Sequence, residues 1–175
     1  METEEEMEQA KQIYLRPMEL SDTERIVNWR NKEWVRKNFI YQNPFTKEGH
    51  LQWIHTQVEP GHVVQFIICM KQDDRPIGSV YFRDIDRGAL SAEYGIFIGE
   101  KDTLGKGYGT QAANLAVSYA LEKLKLNRIF LRVFEDNIAA RKSYEKAGFV
   151  KIEGRQDTVM IDDIPRKVIF MERCR

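Results

Sequence analysis

Leu104-Gly105-Lys106-Gly107-Tyr108-Gly109-Thr110 sits between a strand and a helix, and its reading decides the fold. Upstream, Ser91–Gly99 alternates in the two-residue period of a β-strand. Downstream, Ala113, Ala116, Val117, Ala120, Leu121 and Leu124 recur at helical spacing, which predicts a helix over about residues 108–125. A strand, a glycine-rich loop and a helix in that order make an anion site, because free backbone N–H groups and the helix N-terminal dipole both favour negative charge. Gly105, Gly107 and Gly109 leave the backbone open to such an anion. The loop lacks the G-x-x-x-x-G-K-[ST] and G-x-G-x-x-G patterns that hold nucleotides in βαβ units. On its own, the run also fits a plain glycine-rich turn.

Working outward, Val63–Met70, Pro76–Ile85 and Ser91–Gly99 are strands joined by turns at 72–75 and 86–88, an antiparallel meander. Before them, Ile13–Arg16 reads as a strand stopped by Pro17. Ser21 with Glu24 reads as a capping box opening a helix that carries Ile26, Val27 and Trp29 and ends near Arg30-Asn31. A short helix follows around Glu33–Lys37. Pro44 and Thr46 open a third, with Leu51, Trp53 and Ile54 as its apolar positions, and Pro60-Gly61 stops it. After the long helix come a strand at Arg128–Glu135, a helix capped by Asn137 and ended by Gly148, and strands at Phe149–Gln156 and Ile164–Glu172 joined through Asp162-Asp163. The order β-α-α-α-βββ-α-β-α-ββ predicts one α/β (α+β) domain over residues 13–175. Residues 1–12, with Glu2, Glu4, Glu5, Glu6 and Glu8, read as a solvated, disordered lead-in.

At 175 residues the chain is long enough for a real core without staples. Basic and acidic residues balance at 27 each, so net charge points to neither nucleic acid nor a membrane as partner. The two cysteines, Cys69 and Cys174, have no metal or redox spacing. No apolar stretch is long enough to span a bilayer, and a reduced cytoplasm is the expected setting. No metal is expected.

A second motif stands at Asn137-Ile138-Ala139-Ala140-Arg141-Lys142-Ser143-Tyr144-Glu145-Lys146-Ala147-Gly148-Phe149. "GKGYGT", a helix, a strand, then N-x-x-A-x-x-x-Y-x-K-x-G-F resembles the GNAT acetyltransferase superfamily, over about residues 91–150 in motif and nearly the whole chain in element order. The resemblance implies a mixed, mostly antiparallel sheet of about seven strands with helices on both faces. Its fourth and fifth strands, Ser91–Gly99 and Arg128–Glu135, would splay apart. Acetyl-coenzyme A would be the co-substrate, its pantetheine paired with backbone near Phe97, Ile98 and Gly99. Its pyrophosphate would lie on Leu104, Gly105, Lys106, Gly107, Tyr108, Gly109 and Thr110, and Asn137 and Ala140 would flank the arm. Leu104 departs from the family's Arg or Gln there, but backbone does most of the phosphate binding.

Acetyl transfer to an amine needs a neutral amine, a donor for the carbonyl oxygen and a proton for the departing thiolate. A lysine-like amine is neutral only to roughly one part in a few thousand at pH 7, so proton removal is part of the task. The resemblance assigns Tyr144 as general acid; the other reading is a packed helix tyrosine. Glu93 is the candidate base through water, against a plain exposed strand glutamate. Strand alternation puts Glu93, Gly95 and Phe97 on one face, opposite Ala92, Tyr94, Ile96 and Ile98. A backbone N–H near Ile98 is the expected carbonyl polariser.

The acceptor is less legible. Trp29-Arg30-Asn31, Val35-Arg36 and then F-[ST]-x-E-x-H-x-x-W-I, which contains His50, are similar to the RimJ/RimL-type subfamily. That group includes ribosomal-protein N-terminal, spermidine and nucleotide-linked amino-sugar acetyltransferases, the last most like this N-terminal half. Arg30 would then pair with a phosphate and His50 with a phosphate or sugar hydroxyl; otherwise both are structural. Trp29 and Trp53 read as core. A polyamine would want acids, for which Asp84, Asp86, Asp157, Asp162 and Asp163 are the candidates. The expected partner is a small-molecule amine, with a homodimer left open. A catalytically silent acyl-coenzyme A-binding regulator would keep the glycine loop but need no acid, and Tyr144 speaks against it.

Overall fold

Four strands lie side by side in chain order, the three of the expected meander with the strand at Ile13–Pro17 added at its edge. The computed structural model describes residues 11–175, so most of the glutamate-rich lead-in lies outside the described residues. β1 (Ile13–Pro17), β2 (Val64–Met70), β3 (Pro76–Asp86) and β4 (Ser91–Ile98) pair antiparallel. β5 (Arg128–Phe134) joins β4 in parallel. β7 (Ile164–Cys174) and β6 (Val150–Ile161) complete a seven-stranded mixed sheet in the order β1-β2-β3-β4-β5-β7-β6.

The parallel ladder is short. It holds Ser91↔Arg128, Ala92↔Ile129 and Glu93↔Phe130, and beyond Glu93 the two strands run on unpaired to each other. The β3–β4 ladder tells which backbone groups face that gap. The Gly99 N–H donates to the Ile77 carbonyl at 2.7 Å, and the register is unbroken from Gly78↔Ile98 to Arg83↔Glu93. Antiparallel pairs alternate, so Gly99, Phe97 and Gly95 bond to β3 while Ile98, Ile96 and Tyr94 turn their N–H and C=O groups toward β5.

Helices cover both faces. α1 (Thr23–Asn31), α2 (Glu33–Arg36) and α3 (Lys47–Trp53, continued by a π-turn through Val58) lie on one. There Ile26, Trp29 and Val35 pack with Ile67, Cys69 and Phe97. α4 (Tyr108–Glu122) and α5 (Ile138–Lys146) cover the other, where Ala112, Ala113, Ala116, Val117 and Ala120 meet Phe66, Ile68, Val80 and Phe82. Alternate residues of β2 enter opposite cores, which is why Phe66–Met70 is a continuous apolar run.

Local signals hold at some ends and fail at others. Thr46 caps α3 by accepting from the Gly49 N–H at 3.0 Å, and Asn137 caps α5 by accepting from the Ala140 N–H at 3.3 Å. The Ser21–Glu24 capping box does not form. A 3₁₀ turn, Leu20–Asp22, precedes α1, and the carboxylate that reaches back to the Glu19 N–H (2.9 Å) belongs to Asp22. Arg16 and Arg25 hold that carboxylate inward at 2.8 and 3.0 Å, while Glu24 pairs with Lys47. Desolvation pushes the Asp22 carboxyl up, but its bonds to Arg16 and the Glu19 backbone outweigh this and keep it below the usual range. α4 stops before the predicted residue 125, where Lys125 takes a left-handed φ of 57°. β6 runs on to Ile161 because Asp162 and Asp163, both at positive φ, make a two-residue hairpin turn. Among the described residues, no helix is long and apolar enough to cross a membrane.

Trp29 fixes α1 to the end of β4. Its Nε1–H donates to Glu100 Oε1 at 2.7 Å, and Lys32 Nζ donates to the Gly99 carbonyl at 2.9 Å. A Cβ on Gly99 would overlap the Trp29 indole, so only glycine allows this approach. Gly99→Ala is therefore expected to force the indole or β4 aside and to lower stability by about 1–3 kcal/mol. Thermal unfolding checks it: a fall of several degrees in Tm is expected, and an unchanged Tm would show that the contact is slack.

Candidate active site

The gap between β4 and β5 opens into a cavity of about 1160 Å³. Both sides of the gap line it, from Glu93 to Ile98 on β4 and from Arg132 to Phe134 on β5. On the glycine-loop side the wall is Leu104, Gly105, Gly107, Tyr108, Gly109 and Thr110, with Asn137, Ala140 and Tyr144 of α5. On the other side stand Arg30, Phe39, Phe45, His50 and Trp53, with Gln65 and Tyr81 contributed by the sheet. Of the residues expected to hold the cofactor, Gly99 and Lys106 do not line the cavity. Gly99 lies against Trp29 with its N–H already bonded to Ile77.

The loop meets the demands of an anion. Gly105 and Gly107 have φ of 73° and 82°, and a Cβ on either would point into open space. Gly107 directly caps the fifteen-residue α4, whose first N–H groups lack intrahelical partners. Gly109 lines the cavity and has a packing use as well. A Cβ there would lie 3.3 Å from Ser143 Oγ, so Gly109 lets α4 close on α5, where Thr110 Oγ1 and Ser143 Oγ lie 3.1 Å apart. Lys101, Lys142 and Lys146 also line this side.

At the centre, Tyr144 is buried against Tyr94 and Phe149, with ring centroids 6.3 and 6.0 Å away. Burial raises its phenol far above the ordinary tyrosine range, so the hydroxyl keeps its proton. The Tyr94 phenol is raised the same way, and its hydroxyl is buried without a partner among the described residues. Glu93 is not the exposed strand residue that alternation allows: it is 7% exposed. Arg132 Nε meets its Oε1 at 2.8 Å and Arg83 meets its Oε2 at 3.1 Å, so both carboxylate oxygens are engaged. This clasp spans β3, β4 and β5 at the last paired residue before the gap.

On the acceptor side, Trp29-Arg30-Asn31 divides three tasks. Trp29 is core, as expected. Asn31 exchanges two 2.8 Å hydrogen bonds with the backbone of Phe45. That brings the Phe45 ring beside Arg30, whose Cζ lies 4.2 Å from it and 3.3 Å from the Phe39 ring. The rings flank the guanidinium, and Arg30 Nε is buried without a partner among the described residues. Desolvation brings the Arg30 pKa down to about 10, which leaves it a cation at neutral pH. His50 is 4% exposed, stacked on Trp53, with Nδ1 3.2 Å from Thr23 Oγ1 and Nε2 unpartnered. Desolvation and the Arg30 charge lower its pKa, so the imidazole is neutral at pH 7. Trp53 departs from the core reading, being half-buried on the cavity wall.

Sequence reasoning missed Gln65, Tyr81, Arg83, Tyr94 and Arg132. Tyr81, Arg83 and Gln65 follow from the meander register, since Gln65↔Tyr81↔Gly95 and Arg83↔Glu93 are direct partners. Arg132 depends on the parallel β4–β5 pairing, which no local pattern encodes. None of Asp84, Asp86, Asp157, Asp162 and Asp163 lines the cavity, and Asp162 and Asp163 are spent on the hairpin turn. Among the described residues, no three His, Cys, Asp or Glu side chains gather as a metal site would need.

The Acetyltransferase (GNAT) domain family matches residues 12–150. Among curated proteins, the chain is 34% identical over 152 residues to a probable N-acetyltransferase, YjcK, of Bacillus subtilis, covering 83% of this chain and 84% of that one. It is 31% identical over 153 residues to a spermidine N(1)-acetyltransferase of Escherichia coli, covering 85% and 77%. Among solved structures, a spermidine N-acetyltransferase from Vibrio cholerae in complex with CoA and spermine superposes with a TM-score of 0.85 at 25% identity, covering 93% and 95%.

Gly107→Val tests the loop. A β-branched residue resists the left-handed backbone that aims the loop at the anion. Affinity for acetyl-coenzyme A is expected to fall roughly tenfold or more by isothermal titration. Unchanged affinity in the folded variant would move the pyrophosphate elsewhere.

Proposed function

The chain belongs to the acetyltransferase (GNAT) family and is an acetyl-coenzyme A-dependent N-acetyltransferase, and we propose that its acceptor is a primary amine on an anionic molecule, a nucleotide-linked amino sugar. One observation carries this reading. Among the described residues, the cavity wall holds Arg30, Lys37, Arg83, Lys101, Arg132, Lys142 and Lys146 against a single carboxylate, Glu93, which two arginines already engage. Lys101, Lys142 and Lys146 stand on the loop side, where cofactor phosphates would neutralise them. Arg83 and Arg132 are paired with Glu93, and Arg30 and Lys37 remain for the acceptor. A planar guanidinium suits a phosphate. The competing acceptor is a polyamine, favoured by the likeness to spermidine acetyltransferases. A polycation in this cavity would meet like charge with no free carboxylate to receive it.

Catalysis would proceed by direct transfer. The neutral amine attacks the thioester carbonyl, and the unpaired N–H groups of Ile96 and Ile98, which face the gap, stabilise the developing oxyanion. The C–S bond breaks as the C–N bond forms, and Tyr144 supplies the proton that the thiolate takes. With both Glu93 oxygens engaged, the ammonium proton leaves through water, and Glu93 serves by holding the strands at the gap.

Tyr144→Phe is expected to lower kcat by roughly 10- to 10⁴-fold with acetyl-coenzyme A affinity nearly unchanged. Because burial raises the Tyr144 pKa, its acid form persists above the ordinary tyrosine range, so kcat should show no alkaline limb up to about pH 10. Wild-type turnover in the variant would return Tyr144 to packing.

Arg30→Ala separates the acceptors by sign. Each charge-assisted hydrogen bond to a phosphate contributes about 1.5–3 kcal/mol, so KM for a nucleotide-linked amino sugar should rise tenfold or more. For spermidine the change should be neutral or favourable, and acetyl-coenzyme A affinity should hold in both cases. Steady-state kinetics with both amines decides it, and turnover of spermidine alone would refute the anionic acceptor.

A further inference from the structure

Gln65 lies on β2, on the acceptor side of the cavity and directly across the ladder from Tyr81. It is 7% exposed. Its neighbours fix which way its amide faces. Ser79 Oγ lies 2.8 Å from the Phe66 carbonyl oxygen. A carbonyl only accepts, so the single Ser79 hydroxyl proton goes there. Toward Gln65, also 2.8 Å away, Ser79 then has only lone pairs, and the group facing it must be the Gln65 NH₂. The side-chain carbonyl is thereby turned away from Ser79. Oε1 is buried and has no partner among the described residues.

A buried acceptor without a donor is unfavourable, and Ser79 is satisfied whether or not Oε1 finds one. The fold thus holds a directed acceptor on the cavity wall that also carries the unpartnered Arg30 Nε–H and His50 Nε2. We propose that Gln65 is a specificity-determining residue whose fixed side-chain carbonyl accepts a hydrogen bond from a hydroxyl or N–H group on the acceptor molecule. This deepens the acceptor reading above and rests on it for the identity of the ligand. The acceptor then carries both an anion, for Arg30, and a hydrogen-bond donor, for Gln65. A polyhydroxylated phosphate ester meets both needs.

The test uses the full chain, wild type and as Gln65→Leu and Ser79→Ala. The amines are uridine-diphosphate glucosamine, spermidine and a short peptide with a free amino terminus. On whichever amine is turned over, Gln65→Leu should raise acceptor KM roughly tenfold or more, with kcat and acetyl-coenzyme A KM within about twofold. Ser79→Ala frees the amide to flip and should raise the same KM by less. Without any amine present, Gln65→Leu should melt at or above the wild-type temperature, because it deletes an orphaned acceptor of similar volume. A lowered Tm with unchanged acceptor KM overturns the proposal and makes Gln65 a structural residue. Turnover of spermidine or the peptide but not the sugar nucleotide overturns the anionic-acceptor reading, and Gln65 is then judged on the amine that reacts. If none of the three is turned over, the apo melting temperature decides.

Discussion

Three residue pairs are all that join β4 to β5, and the site depends on the fact that there are no more. A sheet interior normally pairs every backbone donor and acceptor. Here Ile96 and Ile98, beyond the last pair Glu93↔Phe130, are denied partners on the β5 side because the strands part. Their groups are left for a ligand that carries its own amides and carbonyl. The parting starts at Glu93, where Arg83 from β3 and Arg132 from β5 converge on one carboxylate. A buried carboxylate would be costly alone, and its two guanidiniums hold three strands at a set spacing. The gap is therefore a fixed feature of the sheet.

Around that gap the two walls are built from different chemistry. The loop side relies on backbone: Gly105 and Gly107 at positive φ, and the first turn of α4. The acceptor side relies on side chains from short, irregular elements, each held by a specific tie. Asn31 fixes Phe45, Phe45 and Phe39 flank Arg30, and Trp29 binds all of α1 to Gly99 and Glu100 at the end of β4. The acceptor wall is thus anchored to the strand that presents backbone to the cofactor.

This division explains what could be read from the chain alone. The element order, the glycine-rich loop ahead of α4 and the Asn137 cap were legible because each is a local pattern, and the same patterns placed Tyr144 on α5. Ser21–Glu24 misled because a capping box is also local, and it lost to Arg16, a residue from another element that drew Asp22 inward instead. Gly109 was placed with the anion on spacing, yet its lack of a side chain serves the approach of Ser143, over thirty positions away in the chain. Arg132 and Gln65 were invisible for the same reason: their roles exist only once the parallel pairing and the Gln65↔Tyr81 register are formed.

The same division bears on why close kinship in fold leaves the acceptor open. A cofactor site recognised through backbone would tolerate sequence change so long as the glycines and the helix N-terminus stay, which fits a shared fold at 25–34% identity. A side-chain-recognised acceptor site changes its meaning with a few residues and no movement of the sheet. Kinship to spermidine acetyltransferases therefore speaks strongly to the thioester chemistry and weakly to the amine. The charge on the wall is a property of this chain itself. Arg30 and Lys37 on the acceptor side, beside one carboxylate that Arg83 and Arg132 pair, are the charges on which the proposed anionic acceptor rests.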